Sequence, residues 1–148
     1  MILAAGCAAG CISALVGQRT VSVPKVVAAK GPVSNSRCHV CHMFYQEDPL
    51  AVTHAKAGIG CEACHGACDA HCNDEANVTP PDRMFPRRIV NPFCMQCHGR
   101  EQLAEEPSHA PLLAGRAEKC RYCTDCHGEH LLGERVVRWD KETGELIE

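Results

Sequence analysis

The sequence predicts a mainly α-helical chain with extensive irregular loops and very little sheet, and three observations predict it. The pattern C-x-x-C-H occurs four times, at Cys38-His39-Val40-Cys41-His42, Cys61-Glu62-Ala63-Cys64-His65, Cys94-Met95-Gln96-Cys97-His98 and Cys123-Thr124-Asp125-Cys126-His127. Three phenylalanines, two tyrosines and one tryptophan are the only aromatic side chains among 148 residues, too few for an ordinary core. Nine prolines and twelve glycines interrupt the rest, so regular elements should be short and carry the motifs.

Each motif is the attachment signature of a c-type haem: two thiols carry the porphyrin covalently and the adjacent histidine binds its iron. Two residues between the cysteines let both sulfurs reach the two vinyl groups, and the next residue sets an imidazole under the metal. Zinc is the competing chemistry, because Cys38, Cys41, Cys61 and Cys64 are spaced C-x2-C-x19-C-x2-C. Chance argues against it. Histidine is 9 of 148 residues, so four arbitrary C-x-x-C pairs would all be followed by histidine roughly once in 10⁵ trials, and zinc does not need that residue. The expected cofactor is therefore haem c, four copies, held by Cys38, Cys41, Cys61, Cys64, Cys94, Cys97, Cys123 and Cys126. Four haems in one small chain would supply most of the buried apolar surface, giving a small multihaem cytochrome c fold. A formal net charge of −3 gives no reason to expect nucleic acid as a partner.

From the N-terminus, residues 1–17 are apolar or small and uncharged, the length of a signal-peptide core and short of a bilayer span. Ala4-Ala5-Gly6-Cys7 and Ala8-Ala9-Gly10-Cys11 are similar to lipoprotein cleavage sites, where the cysteine becomes acylated. Export signal, lipid anchor and retained membrane anchor all remain open. Residues 18–36 have the composition of a linker, with Gly31-Pro32-Val33-Ser34-Asn35-Ser36 breaking regular structure. As a flexible tether it would span roughly 25 Å. The motif region is 37–133. Its motifs begin at 38, 61, 94 and 123, and these unequal gaps exclude a fixed-period solenoid. The tail, 134–148, is predicted to be a β-hairpin: Val136-Val137-Arg138-Trp139 and Glu145-Leu146-Ile147 flank Asp140-Lys141-Glu142-Thr143-Gly144, with the glycine left-handed.

Candidates for the iron's second axial position follow from counting. His42, His65, His98 and His127 are the motif ligands, leaving His39, His54, His71, His109 and His130. His39 lies inside its own motif, facing away from its own iron, and ranks last. His54, His71, His109 and His130 then match four irons one for one. Methionine competes poorly: Met43 directly follows His42, Met95 lies between two motif cysteines, and only Met84 is free of a motif. Bis-histidine iron has no open position for substrate and a low potential, which suits electron transfer and not catalysis. No catalytic residue is assigned.

Residues 37–132 resemble small multihaem c-type cytochromes of anaerobic respiration. The likeness rests on Thr53-His54-Ala55-Lys56-Ala57-Gly58-Ile59-Gly60-Cys61, Cys64-His65-Gly66 and Cys123-Thr124-Asp125-Cys126-His127-Gly128. The membrane-anchored quinol-oxidising tetrahaem family, of the NapC/NrfH type, is a distant likeness. This chain departs from it in lacking a long transmembrane segment and a methionine two residues after His42, so quinol oxidation is not carried over. The resemblance implies haem attachment outside the cytoplasm, hence a periplasmic or extracellular site with a possible membrane tether, and redox partner proteins. Rival expectations are a haem reductase with one open iron and a subunit of a homo-oligomer or filament.

Arg83, Arg87 and Arg88 precede the third motif, and Lys119 and Arg121 flank the fourth. Propionate pairing and a plain solvated surface are both open to them. Cys68 and Cys72 are near enough in a helical turn for a strained disulfide. A bond from Cys120 to one of them, or three free thiols, stay equally open.

Overall fold

The computed structural model describes residues 23–119, 121–128, 130–131 and 136–147. The leader 1–17 with Cys7 and Cys11, and also Cys120, lie outside the described residues. Seven short α-helices occur among those described: α1 Ser36–His39, α2 Pro49–Lys56, α3 Cys61–His65, α4 Asp69–Cys72, α5 Arg87–Cys94, α6 Arg100–Ala104 and α7 Ala110–Leu113. Single 3₁₀ turns at Met43–Gln46, Pro107–His109 and Cys123–Asp125 and long irregular segments join them. The mainly helical, loop-rich architecture is as the sequence predicts.

Each motif forms one helical turn. The second motif is α3 itself. In the others the histidine N–H donates to the carbonyl of the first cysteine: His42 to Cys38 (3.0 Å), His98 to Cys94 (3.1 Å) and His127 to Cys123 (3.0 Å). That i to i−4 bond brings the imidazole back over the turn holding both thiols. Helix α2 starts where the sequence permits: Asp48 caps it by accepting from the Ala51 N–H (2.8 Å), with Pro49 in the first turn. Helix α3 stops at Gly66, whose φ of +92° only glycine adopts freely. A Cβ there would lie 2.6 Å from Asp82, because residues 82 and 83 fold over the helix end. Asp82 accepts from the Cys68 N–H (2.9 Å), and the Arg83 N–H donates to the His65 carbonyl (2.9 Å).

The predicted hairpin is present. Strands β1 Arg138–Trp139 and β2 Leu146–Ile147 pair antiparallel, and Gly144 has φ +79°. Its position could not be foreseen. The Trp139 indole N–H donates to the Val78 carbonyl (2.8 Å), and Arg88 pairs with Glu142, so the tail is fastened across 78–88.

The coil before α1 is less free than its composition suggests. The Ala29 N–H donates to Gly58 (2.9 Å), the Val33 N–H to Ala55 (3.0 Å), and Asn35 accepts from the Cys61 N–H (2.9 Å). Gly58, at φ +83°, makes this possible, since a Cβ would sit 2.4 Å from the Ala29 oxygen. Residues 29–35 are thus hydrogen-bonded against α2 and α3. No helix among the described residues is long and apolar enough to cross a membrane.

The described residues have almost no side-chain core. Ala51, Cys68 and Ile89 are the only buried hydrophobic residues, none of them below 2% exposure, while Phe44 stands 81% exposed. A chain of this length ordinarily buries most of its large apolar side chains.

Candidate functional site

The structure gathers eight histidines into four pairs, and every pair joins a motif histidine to one outside the motifs. His42 faces His71 with ring centroids 6.0 Å apart, His65 faces His130 at 6.1 Å, His98 faces His54 at 6.2 Å, and His127 faces His109 at 5.9 Å. A metal held at about 2 Å from one nitrogen of each of two imidazoles puts the ring centroids roughly 6 Å apart.

The non-motif rings are also oriented for a metal. His54 Nδ1 meets the Leu50 carbonyl (2.8 Å), His71 Nδ1 the Thr79 carbonyl (2.8 Å) and His109 Nδ1 the Leu103 carbonyl (3.0 Å). His130 Nδ1 meets Asp48 Oδ1 (3.3 Å), and the motif histidine His65 uses Arg83 in the same way (3.0 Å). With Nδ1 donating to an oxygen, Nε2 is left with its lone pair, the tautomer a metal ligand needs. Burial, followed by neighbouring imidazoles, holds His42 below the usual histidine range; burial also holds His65 below it. Both stay unprotonated near neutral pH.

His39 joins no such pair. Its Nε2 is buried without a hydrogen-bond partner beside an open depression of about 410 Å³ lined by Asn35, Ser36 and Gln46.

The motif thiols are adjacent across motifs. Burial, reinforced by the Cys61 thiol, pushes Cys38 up to about 11. The nearby Cys123 thiol, followed by burial, raises Cys94, and the Cys94 thiol lowers Cys123. Cys64 is raised by burial and lies close enough to Cys97 to feel its charge. The thiols of the first and second motifs, and those of the third and fourth, therefore lie near one another. No group of three or more histidine, cysteine, aspartate or glutamate side chains is arranged to hold a bare metal ion among the described residues.

The structure also places the extra cysteines and the basic residues. Cys68 and Cys72 are both free thiols: Cys68, left-handed at φ +54°, turns its sulfur to the His65 carbonyl (3.2 Å). Arg88 is taken by Glu142, and Arg87 by Asp125 (3.5 Å) while it lies 4.9 Å from the Tyr122 ring centroid. The nearby carboxylates compete for both guanidiniums. Arg83 instead donates to the Ala63 carbonyl (3.3 Å), within the second motif.

Sequence reasoning missed three neighbours of the rings. Tyr45 lies 4.4 Å from His130, Phe85 stands edge-on to His65 at 5.2 Å, and Trp139 is edge-on to His71 at 6.4 Å. Only their rarity marked them, since six aromatics leave few to spare. Paired imidazoles, nearby motif thiols and a missing side-chain core fit covalently bound haem.

The family described as cytochrome c554 and c-prime matches residues 15–66, a stretch that includes the first two motifs. No curated protein and no solved structure matches the chain. The family match supports a c-type cytochrome carrying covalent haem and working in electron transport.

Proposed function

We propose that this chain is a tetrahaem cytochrome that passes electrons between redox partner proteins outside the cytoplasm. The observation that carries the reading is the set of four histidine pairs, each centred roughly where one metal would separate the rings. Haem, when bound, supplies a one-electron ferric/ferrous couple.

The residues divide the work. Cys38 and Cys41, Cys61 and Cys64, Cys94 and Cys97, and Cys123 and Cys126 anchor the first to fourth sites. His42 with His71, His65 with His130, His98 with His54, and His127 with His109 complete them. Two imidazoles at each site exclude water and substrate from the metal, which favours a carrier over a reductase. The nearness of Cys38 to Cys61 and of Cys94 to Cys123 supports closely spaced sites. Such closeness is what conduction requires.

Intact mass with a haem-per-protein assay is expected to give four covalent haems, and the ferrous protein is expected not to bind carbon monoxide. Two or fewer haems, or a carbon monoxide spectrum from the native protein, would refute the reading.

The apolar leader and its two small-small-Gly-Cys sequences support export and acylation at Cys7 or Cys11. Cell fractionation with N-terminal sequencing is expected to recover a membrane-associated acylated protein. A soluble, unacylated chain beginning beyond Cys11 would make it a freely diffusing shuttle.

A further inference from the structure

One of the four non-motif histidines is held differently from the others. His54, His71 and His109 each meet a neutral backbone carbonyl through Nδ1, whereas His130 meets the carboxylate of Asp48. That side chain is only 9% exposed, so solvent and salt screen its charge little. The same oxygen, Oδ1, caps helix α2 through the Ala51 N–H (2.8 Å), and α2 carries His54. Asp48 therefore touches the ring of the second site and the helix that presents the ring of the third. The chain after the fourth motif is laid across it as well. Gly128, at φ +81°, has no side chain where a Cβ would lie 3.4 Å from Asp48 Oδ2, and the His130 N–H then turns back to the Gly128 carbonyl (2.7 Å).

We infer that Asp48 is a positioning residue that makes the second site, held by His65 and His130, the lowest-potential of the four. The inference rests on the tetrahaem reading above. A carboxylate is a stronger acceptor than a carbonyl for the Nδ1 proton. By drawing that proton it leaves more electron density on Nε2, which strengthens donation to the metal and stabilises the oxidised, more positive state. A negative charge sheltered from water acts in the same direction. Among the described residues, the non-motif rings of the other three sites meet no such carboxylate.

The test is a spectroscopically monitored redox titration of the four-haem protein and its Asp48→Asn variant. Asparagine caps a helix about as well as aspartate, so α2 and His54 should stay in place while the charge is lost. His130→Ala identifies the second site as the midpoint that leaves the low-spin set. That midpoint, lowest in the native protein, is expected to rise in Asp48→Asn by about tenfold in its equilibrium constant, about 59 mV for one electron. The other three should move less. Asp48→Ser, which also caps but is too short to reach His130, should raise the same midpoint and serves if the asparagine variant fails to assemble. Four unchanged midpoints in a variant with four low-spin haems would overturn the role of Asp48 and leave the tetrahaem reading intact. An equal rise at all four sites would overturn it too. A native protein without low-spin haem would overturn both.

Discussion

Replacing His54 by alanine is expected to convert the third site, and no other, from low-spin to high-spin. That site should then bind carbon monoxide and rise in potential, because one strong donor has been lost. His54 precedes Cys61 by seven residues, yet its ring lies 6.2 Å from His98 and not beside His65. His54→Ala and His98→Ala should therefore remove the same electron paramagnetic resonance signal. The signal itself should be distinctive. Each axial imidazole donates into the metal d orbital lying perpendicular to its own plane, so parallel rings split two orbitals that crossed rings leave nearly equal. The His54 and His98 planes cross at 87°, whereas His42 and His71 lie at 13° and His65 and His130 at 26°. The third site should give the broad, large-g signal and the first two the ordinary rhombic one. Loss of a rhombic signal in His54→Ala would mean that His54 serves a different motif.

The second large effect is on folding. Chain prevented from acquiring haem, by expression without attachment or with all eight motif cysteines changed to serine, is expected to show no cooperative thermal transition by circular dichroism. The haem-loaded protein should melt sharply. Only Ala51, Cys68 and Ile89 are buried apolar residues among those described, and ordering a backbone costs about 1–2 kcal/mol per residue. The exposed ion pairs Arg37–Asp69 and Arg37–Glu62 add little, since solvent screens such pairs. The four histidine pairs also tie distant segments together, His65 to His130 above all. Without the metals proposed to join them, those ties would be lost together with the apolar filling. A cooperative melt in the haem-free chain would show that side chains alone suffice.

What the sequence determined by itself was local. Cysteine spacing sets the motif turns, Asp48-Pro49 starts α2, Gly66 ends α3, and Gly144 closes the hairpin; each is decided within a few residues by backbone sterics and capping. The histidine count gave the non-motif candidates His54, His71, His109 and His130 as a set, since only five histidines remain outside the motif ligands. Their partners were not legible. His71 goes back to the first motif, His54 forward to the third, and His130 to the second across the fourth. Spacing carries no record of such crossings, because chain closure costs only slightly more for long loops than for short ones. The same holds for Asp48 against His130, Trp139 over His71, and the carboxylates that take Arg87 and Arg88. These contacts are fixed by which surfaces meet once the motif turns are packed, and that is a property of the assembled fold.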